Sequence, residues 1–345
     1  RKVINDGMDI SGGAGQFRGK RNILANAYFS APISITVEGS NIITRSLIHF
    51  GQGSIMCHPY AYKEMEALEN NDLRSFDKAF FAHFGHMLRN KVRSALLSLT
   101  RGRLFIPSHG GIVGRYERKL AWVSATFAYL ADLAMLFFGG NLKRKEKING
   151  RFGDILSYMY IAVAVLKQFR VDGSRKEDEL LVRYIMKDLF VKIQIAFDGL
   201  FDNLFENRFL KIINYPFKIF ARINRLDIGP CDKLSHEISK LSLNNDKFRD
   251  RMTAGIYISK DKNEALGRLE NALDLFRKSE VLITKLTDNI RAKKLPKKPI
   301  LQILNEAVKQ KIITRPQANI IKSAQEAMDD AVQVDEYSLK DYKKL

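Results

Sequence analysis

One segment near the start of the chain has residue types that could carry out acid–base chemistry. Glu38 follows an apolar, β-branched run, Ile33–Val37, which predicts an extended segment, and it precedes Gly39 and Ser40. A carboxylate held beside apolar surface is desolvated, which raises its pKa and lets it take a proton from a weak carbon acid near neutral pH. The same spacing fits a carboxylate that only stabilises the N-terminus of a helix near Ser40. The residues alone leave both interpretations open.

Other patterns that could support chemistry are incomplete. Residues 13–20 contain three glycines and a lysine, but they match neither the spacing of a dinucleotide-binding turn nor that of a phosphate-binding loop. His83 and His86 lie three residues apart on a predicted helix, with no carboxylate or cysteine at ligand spacing, so a core or surface role is favoured over metal binding. Cys57 and Cys231 cannot frame a disulfide scaffold. No metal site is predicted.

The elements that must position Glu38 are predicted to be long helices. Apolar residues recur at gaps of three and four from Leu73 to Leu99, and Asp72 is a suitable N-cap, so a helix is predicted over residues 72–101. Further long helices are predicted over residues 116–138, 152–169 and 176–206. Long helices joined by short connections favour an up-and-down bundle.

The stretch Leu120–Phe138 allows two interpretations. Its length and composition approach those of a membrane span. Asp132, Ser124 and Thr126 interrupt the apolar run, however, and no second stretch of this kind occurs. A central bundle helix, apolar nearly all round because its neighbours cover it, is therefore favoured.

The pattern changes after residue 207. Prolines and glycines punctuate residues 209–231, helical periodicity returns near residue 266, and residues 293–299 form a basic linker. Thr314 and Gln317 have the spacing of a capping box that opens a later helix. The prediction is an all-α chain with a helical bundle that carries the catalytic segment over residues 1–207. A smaller helical appendage follows over residues 208–345.

Charge narrows the classes of function. The 345 residues carry a formal net charge of +19, and 46% are hydrophobic, which excludes disordered and collagen-like classes. Two local concentrations of cations lie at residues 143–151 and 291–298. A diffuse basic surface attracts nucleic acid, anionic lipid or phosphorylated small molecules, although no nucleic-acid-binding motif accompanies it. One alternative function is therefore a non-catalytic basic module that binds an anionic membrane or nucleic acid.

A family resemblance favours an enzyme. The segment Val37–Asn41 with Arg45 resembles the Glu-Gly-Thr/Ser…Arg segment of the acyl-CoA dehydrogenases, and Asp9–Gly15 is similar to that family's flavin-contacting turn. Three further segments resemble the long bacterial members that act in fatty-acid degradation and have an extra C-terminal region: residues 50–60, 90–94 and 139–144. The resemblance implies that this chain is the C-terminal part of such an enzyme, without the two earlier domains.

The resemblance also implies roles for individual residues in FAD-dependent α,β-dehydrogenation of fatty acyl-CoA. Glu38 matches the catalytic base, and its backbone N–H matches a donor to the thioester oxygen. Gly39 matches the position where the substrate approaches the backbone. Ser40 and Asn41 match positions that contact FAD. Gly12 and Gly13 match a turn that contacts the FAD of a neighbouring subunit.

Two positions depart from the family pattern. Asp9 stands where the family usually has glutamine, and a carboxylate would repel the pyrophosphate of the cofactor, so Asp9 is not assigned to the site. Ser40 replaces the commoner threonine and keeps the hydroxyl. The expected partners are fatty acyl-CoA, an electron-transfer flavoprotein, further copies of the chain in a homo-oligomer and an anionic membrane surface, with no nucleic acid. The expected location is the cytoplasm, peripheral at the inner membrane.

Overall fold

A computed structural model describes residues 1–37, 41–204 and 222–343, together with 212, 215 and 218–220. All regular elements among these residues are helices, and none of the described residues lies in a strand. The all-α class predicted from the sequence is confirmed. In chain order the α-helices are α1 (Lys2–Ser11), α2 (Ala25–Ser30), α3 (Ser34–Val37), α4 (Asn41–Ile43), α5 (Gly53–Met56), α6 (Ala61–Glu69), α7 (Leu73–Leu99), α8 (Gly111–Phe138), α9 (Glu146–Val171), α10 (Glu179–Asn203), α11 (Asp232–Asn244), α12 (Asp246–Met252), α13 (Ala265–Arg291), α14 (Ile300–Lys309), α15 (Arg315–Ala331) and α16 (Leu339–Tyr342).

Contacts divide the chain into two compact units. One comprises residues 35–254, and the other combines residues 1–34 with residues 255–345. The domain boundary predicted between residues 207 and 208 falls among residues that the structure does not describe, and it stays a prediction. The resemblance-based site residues divide between the units, because Gly12 and Gly13 belong to one while Asn41 belongs to the other.

The four long helices of the larger unit form where the apolar periodicity predicts them, and successive members pack against one another. Helix α7 begins directly after Asp72, whose carboxylate accepts a hydrogen bond from the Ser75 N–H at 3.0 Å, as an N-cap does. Helices α8 and α9 begin several residues earlier than predicted, at Gly111 and Glu146. Ile112 and Val113 in the added turn of α8 are buried, so packing stabilises a start that the local sequence does not mark.

Helix α8 is the centre of this unit. It is long and apolar enough to cross a membrane by length and composition, but most of its apolar window is buried against other helices. Val123, Leu130 and Ala134 have no exposed surface. A helix that is apolar nearly all round is covered by its neighbours in a bundle core. The remaining fully buried large side chains of this core come mainly from α9 and α10: Phe152, Ile155, Met186, Phe190, Ile193 and Leu200.

Asp227 ties the segment before α11 to α8 and α10. Its carboxylate accepts hydrogen bonds from Lys119 Nζ at 2.8 Å and from Lys187 Nζ at 3.0 Å. The same two lysines donate to the carbonyls of Leu226 and Gly229. Burial raises the pKa of the Asp227 carboxyl, but the two lysines outweigh burial and the net pKa lies below its ordinary value. The segment is thus held by a half-buried ion triad.

Replacing Asp227 with asparagine is expected to lower the free energy of unfolding by about 1–3 kcal/mol at pH 7, because two partly buried ammonium groups lose their counter-charge. A carboxyl whose pKa is lowered on folding contributes stability above its unfolded pKa, and this contribution is lost as the pH falls through the folded pKa. The difference in free energy of unfolding between parent and variant should therefore become smaller below about pH 4. Urea unfolding at pH 7 and at pH 3 measures this difference on both sides of the transition. The exposed carboxylate variant Asp77→Asn is the control, and an equal loss there would contradict this account.

The smaller unit has its own core and its own ionic contact. Asp330 on α15 accepts hydrogen bonds from Arg21 at 2.7 Å and from Arg268 at 2.9 Å. Helix α15 opens with the predicted capping box, in which the Thr314 hydroxyl accepts from the Gln317 N–H and the Gln317 side chain accepts from the Thr314 N–H. Its buried apolar side chains come from α13, α14, α15 and their connections: Leu286, Leu295, Ile303, Leu304, Ala307, Ile313, Ala318 and Ile321.

The prediction of an extended segment before Glu38 is wrong. Residues Ala31–Ile33 form a 3₁₀ turn, and Ser34–Val37 form helix α3. A β-branched run prefers a strand chiefly when neighbouring strands cover it, and none of the described residues provides such a neighbour. The backbone groups of this run form hydrogen bonds within the helical turns instead of with a neighbouring strand.

Candidate functional site

The structure describes only the surroundings of the predicted catalytic residues. Glu38, Gly39 and Ser40 lie outside the described residues. Asn41 begins helix α4, and its backbone continues directly into a π-helix over Thr44–Gln52. Single stretches of π-helix are rare and occur frequently at functional sites. The segment that follows Glu38 is therefore an irregular helical passage and not a standard α-helix.

Arg45 fixes this passage to helix α9. Its guanidinium donates two hydrogen bonds to Asp154, from Nε at 2.6 Å and from Nη2 at 2.5 Å. These hydrogen bonds raise the pKa of Arg45 above its ordinary value. Glycines on α9 make the approach close enough, because a Cβ on Gly150 would lie 2.7 Å from Arg45 Nη1 and one on Gly153 would lie 2.9 Å from the Arg45 carbonyl oxygen. The fork-shaped ion pair sets both the position and the rotation of the π-helix.

An aromatic contact fixes the other end of the π-helix. The buried ring of Phe50 stacks on that of Phe152 with the centroids 4.1 Å apart, and Phe127 meets both rings edge-on. Gly51 lies against Asn149, whose Nδ2 would be 3.3 Å from an added Cβ. Helix α9 therefore holds the passage that follows Glu38 at two points, Arg45 and Phe50, which lie about one π-helical turn apart.

A second group of polar residues lies on the same unit, between α6, α7 and α8. His58 Nε2 lies 3.0 Å from Asp132 Oδ1, and Asn90 Nδ2 donates to Asp132 Oδ2 at 3.4 Å. Asp132 is only 2% exposed. A buried carboxylate requires such donors, since an unpaired one would be strongly destabilising. His83 Nδ1 lies 2.9 Å from Glu64 Oε1, which forms a neighbouring histidine–carboxylate pair.

Sequence reasoning missed both carboxylate partners. It placed His83 and His86 on one helix and found no acidic residue at ligand spacing. The structure brings Glu64 of α6 to His83, and it pairs Asp132 of α8 with His58, with ligand atoms of His86 and Asp132 within 4.8 Å of each other. No periodicity or motif marks such long-range partners, so spacing along one helix could not reveal them.

The group formed by His58, His86 and Asp132 has the spacing of a metal site, with ligand atoms within 4.8 Å of one another. Its hydrogen bonds argue against that role. His58 Nδ1 accepts from the N–H groups of Tyr60 and Ala61, and His86 Nδ1 accepts from Arg89. A neutral imidazole that accepts at Nδ1 carries its proton on Nε2, where it has no lone pair for a metal.

The pKa of His86 agrees with the neutral ring that the tautomer argument assumes. Burial lowers the pKa of His86 below its ordinary value, and the Asp132 charge opposes this only in part. The His86 ring is therefore neutral near pH 7, with Nδ1 bonded to the Arg89 guanidinium. We interpret His58 as a hydrogen-bond donor to the buried Asp132 carboxylate and His86 as a neutral ring beside it, rather than as metal ligands.

Glu64, His83 and Asp132 form part of the wall of a cavity of about 780 Å³. The rest of the wall is mostly apolar and comes from the end of the π-helix, from α5, α6, α7 and α8, and from the 3₁₀ turn Gly139–Arg144. Other helices cover only part of the apolar face that the sequence predicts for α7, since Phe80 is 49% exposed and Phe84 is 57% exposed. Large apolar side chains of the wall include Met65, Leu68, Phe80, Phe84, Met87 and Met135.

Comparison with protein families gives the affiliation of the chain. Residues 55–337 match the family described as acyl-CoA dehydrogenase, C-terminal, bacterial type. No solved structure was found to match the chain. The match includes the cavity helices α6–α8, the bundle helices α9 and α10, and helices α11–α15. It begins after Arg45, so the residues proposed to carry the chemistry lie just before it. Because the match spans well over half of the chain, the protein belongs to the bacterial-type acyl-CoA dehydrogenase C-terminal family.

Proposed function

We propose that the protein takes part in FAD-dependent α,β-dehydrogenation of medium- and long-chain fatty acyl-CoA to trans-2-enoyl-CoA, in fatty-acid β-oxidation. The family match over residues 55–337 is the observation that carries the proposal. In this proposal Glu38 is the catalytic base, and residues 1–54 supply the part of the active site that directly precedes the matched region.

Glu38 takes the α-proton of the thioester. That proton is only weakly acidic, so negative charge must be stabilised on the thioester oxygen as the proton leaves, and the Glu38 N–H would donate to that oxygen. Gly39 would let the thioester approach the backbone, because a Cβ there would obstruct it. The ion pair between Arg45 and Asp154 supports this geometry by fixing the chain that follows.

The residues proposed to hold FAD are Ser40, Asn41, Gly12 and Gly13. When bound, FAD accepts the β-hydrogen as hydride. Gly12 fits such a role, since its φ is +54° and, apart from its own stretch of chain, no described atom lies within 4 Å of the position where a Cβ would be. Its backbone is therefore open to close approach by a ligand and adopts a conformation that favours glycine. Gly13 follows in the same 3₁₀ turn.

The proposal extends to partners and location. Electrons would leave to an electron-transfer flavoprotein, and the protein would act as a homo-oligomer, because the proposed FAD contact of Gly12 and Gly13 crosses a subunit boundary. We place the protein in the cytoplasm, peripheral at the inner membrane, where the cations of residues 143–151 or 291–298 would meet anionic lipid.

The first test is a visible absorption spectrum. The chain, joined to the N-terminal and middle domains of a family member, is mixed with FAD and then desalted. We expect a retained flavin band that bleaches when a long-chain acyl-CoA is added, because hydride transfer reduces the flavin. Free CoA is the matched control and should leave the band unchanged. A retained flavin that does not bleach with any acyl-CoA would contradict the proposed reaction.

A further inference from the structure

Residues 333–337, which we call the C-terminal strap, connect helices α15 and α16 without regular secondary structure. The strap belongs to the same compact unit as residues 1–34, and it lies against the turn Gly12–Gly15 and the chain that follows this turn. The matched family region ends at residue 337, so the strap is its last part. The far end of the C-terminal region therefore contacts the turn that is proposed to reach FAD.

Two sets of hydrogen bonds hold Arg21 to the C-terminal region. The Arg21 backbone N–H donates to the Asp335 carboxylate, with Oδ2 at 3.1 Å and Oδ1 at 3.3 Å. The Arg21 guanidinium donates to Asp330 on α15, from Nη1 to the carbonyl oxygen at 2.6 Å and from Nη2 to Oδ1 at 2.7 Å. Hydrogen bonds that involve a charged group are stronger than neutral ones. Arg21 is therefore fixed through both its backbone and its side chain.

Two glycines let the strap approach the N-terminal chain closely. A Cβ on Gly13 would lie 2.8 Å from Val334 Cγ1, which is closer than real Cβ atoms come. A Cβ on Gly19 would lie 2.5 Å from the Tyr337 hydroxyl oxygen. The strap thus supports the turn at Gly13 and leaves the backbone of Gly12 open.

Asn22 connects the strap contact to the turn. It follows Arg21 directly and is only 8% exposed. Its side-chain amide donates to the carbonyls of Gly15 and Phe17, both at 3.0 Å, and its Oδ1 accepts from the Leu24 N–H at 3.1 Å. Because the side chain of Asn22 bonds to the backbone at the end of the turn, a displacement of Arg21 would be passed on to the turn.

We propose that the C-terminal strap is a positioning element for the flavin-contacting turn, with Asp335 as its main positioning residue. Asp335 fixes Arg21, Asn22 passes this constraint to the turn, and Val334 supports Gly13. This role rests on the proposed function, since it requires that the turn contacts FAD. The strap acts through the turn by holding it in one conformation before the cofactor arrives. A preorganised loop binds its ligand more tightly, because less conformational freedom is lost on binding.

The first experiment measures the turn without the cofactor. Hydrogen–deuterium exchange of the full 345-residue chain, followed by mass spectrometry, reports the protection of residues 12–22. Asp335→Ala removes the acceptor of the Arg21 N–H, so these amides should exchange about tenfold faster, the change expected for one lost charge-assisted hydrogen bond. Glu336→Ala is the matched control, since it removes a neighbouring exposed carboxylate and should leave exchange unchanged. Equal protection in the parent and Asp335→Ala would overturn the proposal.

The second experiment measures FAD release from the chain joined to the N-terminal and middle domains of a family member. FAD should dissociate up to about tenfold faster from Asp335→Ala, because only a fraction of the loosened turns keep the binding conformation. Circular dichroism checks that the helices remain. Asp335→Asn keeps an oxygen that can accept from the Arg21 N–H, so it should release FAD more slowly than Asp335→Ala does. Glu336→Ala should release FAD at the rate of the parent.

The outcomes distinguish this role of the strap from the proposed function. If the parent retains no FAD, the proposed function fails, and the role of the strap fails with it. If the parent retains FAD and Asp335→Ala releases it no faster than Glu336→Ala does, only the role of the strap is excluded. Equal release rates for Asp335→Ala and Asp335→Asn, both faster than the parent, would show that the hydrogen bond to Arg21 is not what positions the turn, and would also overturn the proposal.

Discussion

Replacing Glu38 with glutamine is expected to lower kcat for acyl-CoA dehydrogenation by about 10²- to 10⁴-fold, the contribution typical of a positioned general base. Glutamine has nearly the same shape as glutamate but cannot take the α-proton. The variant keeps the backbone N–H at residue 38, so flavin retention and acyl-CoA affinity should change little. Turnover is measured with a dye acceptor in the chain joined to the N-terminal and middle domains of a family member, and acyl-CoA affinity is measured by flavin spectral titration.

The matched control for this prediction is Glu69→Gln, an exposed carboxylate at the end of α6. It removes the same charge from the same protein without touching the proposed site and should leave kcat unchanged. A residual kcat of Glu38→Gln close to that of the parent would remove Glu38 from the role of base. A loss of flavin in the variant would show that residue 38 holds the cofactor pocket together rather than moving a proton.

The helical framework could be predicted from the sequence because its signals are local. Apolar residues at gaps of three and four give the faces of α7 to α10, and side-chain caps such as Asp72 and Thr314 mark where helices begin. These signals act within a few residues of each other along the chain. Where the local signal is weak, as before α8, packing of Ile112 and Val113 decides the start, and the predicted boundary is late.

Local reasoning failed where long-range contacts decide the structure. The run Ile33–Val37 has β-branched residues, yet it is helical because no described strand lies beside it. The partners of His58 and His83 are Asp132 and Glu64, which are distant in sequence and arrive on other helices. No rule of spacing relates such residues in one sequence, since the packing of three helices brings them together.

The prediction of the site residues at the start of the chain depends on a different kind of signal. Glu38 is identified by several motifs that occur in the order typical of the family, and not by its spacing alone. The structure adds the means of support that the motif did not show, namely the double hydrogen bond from Arg45 to Asp154 and the close approach over Gly150 and Gly153. Glycines in a helix are easily interpreted as weak positions, whereas these two provide space for the backbone and side chain of Arg45.

Replacing Phe152 with alanine is expected to cost about 3–5 kcal/mol of unfolding free energy, the range for removing a buried aromatic ring. Phe152 has no exposed surface, and its ring contacts both Phe50 and Phe127. The cavity left behind cannot close easily, because the surrounding helices pack on several other buried side chains. The thermal midpoint should fall by about 10 °C, as measured by circular dichroism and checked by urea unfolding.

The position of Phe152 gives this variant a second, functional readout. Its ring is one of the two points at which α9 holds the π-helix that follows Glu38, so loss of the ring should loosen that passage as well as the core. Phe81→Ala is the matched control, since Phe81 is 69% exposed and should cost less than about 1 kcal/mol. Below the unfolding transition, Phe152→Ala should then reduce kcat while Phe81→Ala does not. Equal stability of the two variants would show that the stacked rings do not hold the π-helix on α9.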